Sequence, residues 1–166
     1  MKGADLGTVE VSLRVWLSKA ERVVVAGVGS SLRKDDFVGV EVVRNLRDRV
    51  SQAVYLIECE EAPESFIGPI SEFKPTHVLI VDAAMLESEP GSVRLIEPQK
   101  IGGVAISTHA LPLRIFSEYL VETTGAKVAL LAIQPKETDF GEGLTPELKE
   151  TAEAVACLLA EILPLN

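Results

Sequence analysis

Residues 22–50 read RVVVAGVGSSLRKDDFVGVEVVRNLRDRV. The β-branched run Arg22 to Ala26 suits a buried strand, and Gly27-Val28-Gly29 breaks it into a loop. From about Asp36 the apolar residues Val38, Val42, Val43, Leu46 and Val50 recur at spacings close to three and four, the period of a helix face. Strand, glycine-bearing loop and helix in that order make one β-loop-α unit, and the rest of the chain is read as more of the same.

Upstream, residues 8–20 set Val9, Leu13, Val15, Trp16 and Leu17 among polar residues, which predicts a short amphipathic helix ahead of the main fold. Downstream, Ala53 to Glu58 is a second strand, and proline at a first-turn position opens a helical stretch over Pro63 to Ile70. His77 to Val81 is a third strand, apolar without alternation as befits burial on both faces, and it ends in Asp82. After the Pro90-Gly91 turn signal, Ser92 to Glu97 alternates and is read as an antiparallel strand at or near an edge. Leu113, Phe116, Tyr119 and Leu120 mark a helix over Pro112 to Thr124, stopped at Gly125. Lys127 to Ile133 is a further buried strand. Thr145-Pro146-Glu147 forms an N-cap and first turn for a last helix carrying Leu148, Ala152, Val155, Leu159 and Ile162. Alternating strands and helices predict a three-layer α/β/α sandwich with a twisted, mostly parallel sheet of about five strands and one antiparallel strand.

The chain has 166 residues and 47% hydrophobic content, which suits one domain spanning 1–166 with a substantial core. A net charge of -9 argues against neutralising nucleic-acid phosphates or binding an anionic membrane. The two cysteines, Cys59 and Cys157, have neither C-x-x-C nor metal-ligand spacing. No signal-peptide pattern opens the chain, and no run reaches the ~18 apolar residues of a membrane span. A cytoplasmic protein without direct membrane insertion is expected.

In open α/β sheets ligands bind outside the carboxyl ends of the strands. The loop after the first strand carries Asp35 and Asp36, the third strand ends in Asp82, and Ser107-Thr108-His109 precedes a helix. Asp36, Asp82 and His109 are therefore expected to converge at one edge. Two carboxylates and an imidazole suit a borderline divalent ion such as nickel, zinc or cadmium and leave positions open for water or substrate. Taken singly, each has a plainer explanation: Asp35 and Asp36 as caps of a helix start, Asp82 as a turn residue, His109 as a satisfied loop histidine. His77, at a strand start, belongs to the opposite edge and is read as structural. Arg33 and Lys34 read as a solvated pair, and Glu58, Glu60 and Glu61 as an acidic cluster. No G-x-S-x-G elbow or paired cysteine-histidine supports a covalent nucleophile.

At these residues the chain resembles the nickel-iron hydrogenase maturation endopeptidases, particularly the hydrogenase 3-type branch, over about Arg22 to Leu163. Gly27-Val28-Gly29-Ser30-Ser31-Leu32-Arg33-Lys34-Asp35-Asp36-Phe37-Val38-Gly39 is similar to the family's G-x-G-N-x-L-x-x-D-D-G-x-G, with Ser30 and Phe37 departing from Asn and Gly. Leu79-Ile80-Val81-Asp82-Ala83, Ser107-Thr108-His109-Ala110-Leu111-Pro112-Leu113, Ile133-Gln134-Pro135 and Gly143-Leu144-Thr145 match further segments. The resemblance implies that Asp36, Asp82 and His109 are both the nickel ligands and the catalytic residues. The resemblance further implies that the nickel is carried by a hydrogenase large-subunit precursor rather than held permanently. It also implies that Glu58, where the family has an aspartate-glycine-glycine stretch, and Asp35 are candidates for client recognition. The activity implied is an aspartic-type endopeptidase that removes the precursor's C-terminal extension after nickel insertion, with the nickel-insertion machinery as a further partner. The rival is a non-catalytic checkpoint that binds the loaded precursor while another agent cuts. A third reading, a dinucleotide-binding turn at Gly27-Val28-Gly29, is weakened by Leu32 at the third glycine position.

Overall fold

The computed structural model describes residues 6–101, 106–107 and 113–165. A sheet in the order β2-β1-β3-β6-β4 is built from β1 (Val23–Val28), β2 (Val54–Glu60), β3 (His77–Met85), β4 (Val93–Ile96) and β6 (Lys127–Ile133). The first four neighbours run parallel, and β4 pairs antiparallel with β6 at one edge. A short strand, β5 (Ile106–Ser107), lies off this path and pairs antiparallel with the end of β3. The three-layer α/β/α arrangement expected from the alternation is present. On one face α1 (Gly7–Trp16), α2 (Val38–Leu46) and α5 (Pro146–Ile162) enclose an aliphatic core with Val25, Leu79 and Leu131. On the other, α3 (Ile67–Phe73) and α4 (Leu113–Thr124) cover Val24, Ile80 and Leu130. These alternate strand residues point to opposite faces, and all are fully buried, which explains why the central strands read as unbroken apolar runs.

Several elements differ in detail from the expectation. In α1 the buried stripe is Val9, Leu13 and Leu17, a spacing of four, whereas Val15 lies off that stripe and is 70% exposed. The helix expected at Pro63 is a 3-10 turn, Pro63–Phe66, that runs into α3. In α4 the core position falls to Ser117 rather than Tyr119, because the Ser117 hydroxyl donates to the Leu113 carbonyl at 2.6 Å and so needs no water. β3 continues past Asp82 to Met85, its extra length supported by β5. No described helix is long and apolar enough to cross a membrane.

One contact sets how the α2 layer meets the sheet. A Cβ built on Gly39, in the first turn of α2, would lie 2.0 Å from the Val81 carbonyl oxygen and 2.7 Å from that of Val28. A Cβ on Gly27 would lie 2.4 Å from the Gly39 carbonyl oxygen. Backbone thus packs on backbone where the helix starts, directly over the carboxyl ends of β1 and β3. All the clashing atoms are main chain and cannot swing aside. Gly39→Ala is therefore expected to cost about 1–3 kcal/mol of stability, the scale of overpacking a filled interior. Denaturant melts of the two proteins check this, and an unchanged midpoint would show that the helix tilts without penalty.

Candidate active site

The 3-10 turn Lys34–Phe37 follows β1, leads into α2 and packs on β3, and it carries Asp35 and Asp36 in sequence. Asp36 is 3% exposed, and its Oδ2 accepts the Ser30 N–H at 2.9 Å. Ser30 takes the place of the family's asparagine, and its hydroxyl accepts the Leu32 N–H at 3.2 Å, a local turn that a serine can make as well. Gly29 is required by proximity: a Cβ there would meet the Asp36 carbonyl oxygen at 2.1 Å. The side chain of Phe37, which stands where the family has glycine, lies beneath the Arg44 guanidinium, 4.9 Å from carbon to ring centre. The two aspartates were open to a helix-capping explanation. Instead, Asp36 reaches back to Ser30, upstream of the turn, and Asp35 points to a loop far away in sequence.

Asp82 is fully buried within β3, in register with Ala132 of β6 and one step beyond the Gly27–Val81 pair. It is a strand residue rather than the turn cap that the sequence left open. β1 and β3 are adjacent and parallel, and the turn bearing Asp36 sits on their carboxyl ends, so Asp36 and Asp82 occupy the same edge of the sheet. Ser107, the last described residue before His109, pairs with Ala84, two positions past Asp82. His109 itself lies outside the described residues. Among the described residues no group of three or more histidine, cysteine, aspartate or glutamate side chains forms a metal-binding cluster. Burying carboxylates is costly unless donors or a cation compensate them.

The neighbouring acidic positions are committed inside the protein. Both oxygens of Glu58 are ion-paired, Oε1 with Arg44 at 2.9 Å and Oε2 with Arg47, both on or just after α2. A bulge shifts the β1–β2 register, so that Gly27 faces Glu58 while Val28 faces Glu60, and the Gly29 N–H donates to the Glu60 carbonyl at 2.7 Å. Cys59 is buried there, and burial pushes its thiol up to about 12, which makes it an inert packing group. Asp35 is fully buried and bonded to the loop that follows β6. Its side chain presents no surface to a client.

Sequence reasoning missed two supports. Gln134, 5% exposed at the end of β6, accepts the Leu86 N–H at 2.6 Å and donates to the Pro135 carbonyl at 3.1 Å, tying the exits of β3 and β6 together. Thr145 stands at the N-cap of α5 as expected but makes no side-chain cap; its hydroxyl goes to Asp35. A polar residue directly after an apolar strand was the available signal for Gln134. Nothing local announces the partner of Thr145, 110 residues away.

With this edge described, the comparisons fall into place. The hydrogenase maturation protease family model matches residues 40–162, and the chain belongs to that family. A putative hydrogenase maturation protease of Methanocaldococcus jannaschii is 34% identical over 155 residues, covering 89% of this chain and 91% of the relative. The hydrogenase 3 maturation protease of Escherichia coli K12 is 33% identical over 133 residues, covering 80% and 85%. The crystal structure of the [NiFe] hydrogenase maturation protease HycI from Thermococcus kodakarensis superposes with a TM-score of 0.85 at 40% identity, covering 92% of this chain and 98% of that one.

His77 provides the contrast to the site. It opens β3 at the opposite edge, 3% exposed, with its ring edge-on to Trp16 at 5.0 Å and its Nδ1 2.9 Å from the Thr76 hydroxyl. Burial, aided by Lys127, holds it below its ordinary 6.5 despite a hydrogen bond with the Trp16 backbone. Below pH 6.5 the unfolded chain therefore binds this proton more readily than the native one, and stability falls as pH falls through that value. His77→Phe keeps the ring and removes the proton site. The variant's melting temperature should fall less between about pH 7 and about pH 5 than the wild type's; parallel curves would refute this.

Proposed function

We propose that this protein is the endopeptidase that removes the C-terminal extension of a nickel-loaded hydrogenase large-subunit precursor. The observation that carries the reading is the placement, within a hydrogenase maturation protease fold, of two buried aspartates from separate elements at the carboxyl edge of the sheet. In this proposal Asp36, Asp82 and His109 meet nickel that the precursor brings as its cargo, so the client docks correctly only when loaded. The carboxylates and imidazole fit such an ion, and the ion remains part of the substrate. Hydrolysis of the peptide bond needs a base to take a proton from water and an electrophile at the carbonyl; a carboxylate supplies the first and the client's metal the second. The activity is aspartic-type in that sense, without the duplicated motif of pepsin-like enzymes.

The same edge offers a polypeptide something to rest on. The Gly141 N–H donates to the Leu32 carbonyl at 2.8 Å, bringing together the loops that carry Leu32 and Phe140, which are 48% and 77% exposed. These exposed apolar side chains, on the turn that leads to Asp36 and on the loop bonded to it, are the surface we assign to a peptide client. On this reading the step takes place in the cytoplasm, after the nickel-insertion machinery has acted. A checkpoint without catalysis has less support, since the relatives matched over most of the chain carry the name protease.

Intact-mass analysis of a loaded precursor after incubation with wild type or Asp36→Asn, Asp82→Asn and His109→Gln tests the assignment. Each variant should fold and lose at least about 100-fold in rate. Wild-type processing by all three would refute the site. Phe140→Ala should raise KM by about tenfold with little change in kcat, and an unaltered KM would remove Phe140 from the client surface.

A further inference from the structure

We propose that Asp35 is a positioning residue, whose carboxylate clamps the loop at 136–145 onto the turn at Lys34–Phe37 and so fixes the direction of Asp36. Its consequence for catalysis rests on the endopeptidase reading, whereas its geometry does not. Asp35 is fully buried and ringed by donors. Its Oδ2 accepts the N–H groups of Lys136 at 3.0 Å and Glu137 at 2.9 Å. Its Oδ1 accepts the Thr145 N–H at 2.7 Å, and the Thr145 hydroxyl lies 3.0 and 2.9 Å from the two oxygens. The Asp35 N–H in turn donates to the Glu137 carbonyl at 2.9 Å.

A second set of bonds fastens the same two segments. The Lys34 N–H donates to the Gly141 carbonyl at 3.0 Å, and the Lys34 ammonium pairs with Glu137 at 3.0 Å. Lys34 has a left-handed φ of 45°, which a non-glycine residue keeps only when its surroundings impose it. On the other side of the turn Asp36 holds the Ser30 N–H at 2.9 Å. Asp35 and Asp36 are consecutive in a four-residue 3-10 turn, so a shift of that turn on loosening Asp35 would carry Asp36 with it, away from Ser30.

The clamp requires a side chain that only accepts. Each oxygen faces at least one backbone N–H, so either orientation of an asparagine would aim an NH2 at a buried backbone donor and leave that N–H unsatisfied, even where the Thr145 hydroxyl turns to accept from the NH2.

The test is the NMR amide signal of Ser30 in the folded full-length protein, which reports the Asp36 bond without any client. In Asp35→Asn the Ser30 amide should shift upfield and exchange at least about tenfold faster, while the amides of Val25, Ile80 and Leu130 in the core strands keep their rates. Thr145→Val deletes only the hydroxyl and should move Ser30 the same way by less. An unmoved Ser30 in a folded variant overturns the proposal, as does uniform acceleration of all amides, which would make Asp35 a general stabiliser. If Asp35→Asn fails to fold, Thr145→Val decides by the same criterion. With a loaded precursor, Asp35→Asn should lower kcat at least about tenfold and keep KM within about twofold, whereas a raised KM with kcat retained overturns the link to Asp36. Failure of wild type to cleave would sink the endopeptidase reading and leave the Ser30 result standing.

Discussion

The site depends on main chain meeting main chain where α2 begins. Gly39 lies against the carbonyls of Val81 and Val28, and Gly27 against that of Gly39, so the helix start is seated on β1 and β3 with no side chain between. The turn at Lys34–Phe37 comes just before that contact and inherits its position. Asp36 is thereby placed over the carboxyl half of β3, on the side of the sheet's edge to which Asp82 belongs. The glycines of this segment resemble a dinucleotide-binding pattern in spacing, yet their physical use here is close packing of a helix and a turn. A phosphate cradle would instead need backbone N–H groups of the loop turned toward a ligand; the Gly29 N–H is spent on Glu60 and the Ser30 N–H on Asp36.

Two adjacent aspartates on that turn have separate partners because they face separate elements. Asp35 looks toward the loop after β6 and is surrounded by its N–H groups, while Asp36 looks back at the loop after β1. Neighbouring charge is handled in the same way: Glu58 is matched by Arg44 and Arg47, and Lys34 by Glu137. In an acidic chain, these pairs match the charges of Glu58 and Lys34 locally.

Much of the architecture was legible in the chain because apolar period reports burial directly. The unbroken run in β3 and the three-and-four spacing in α2 gave their elements, and the glycine-bearing loop between β1 and α2 placed Asp36 at the carboxyl edge. Where the reading went astray, a long-range contact had replaced a local preference. Thr145 sits at a helix N-cap, yet its hydroxyl bonds Asp35. Asp82 interrupts an apolar run and so reads as a strand end, but pairing continues past it, with β6 at Ala83 and with β5 to Met85. The exposed face of α1, including Val15, follows from which side meets β4, and that is a tertiary fact. Glu58 and Asp35 kept their carboxylates in the expected places, while their partners, distant in sequence or on a neighbouring helix, were invisible to spacing rules.

On the proposed reading the client's nickel decides whether this protein cuts. The most direct measurement is the mass of a hydrogenase large-subunit precursor, purified either nickel-loaded or nickel-free, after incubation with the protein. Loss of a C-terminal peptide from the loaded form, with the nickel-free form left intact, is the expected result. Equal cleavage of both would contradict nickel gating, and tight binding to the loaded form without any loss of mass would contradict the endopeptidase itself.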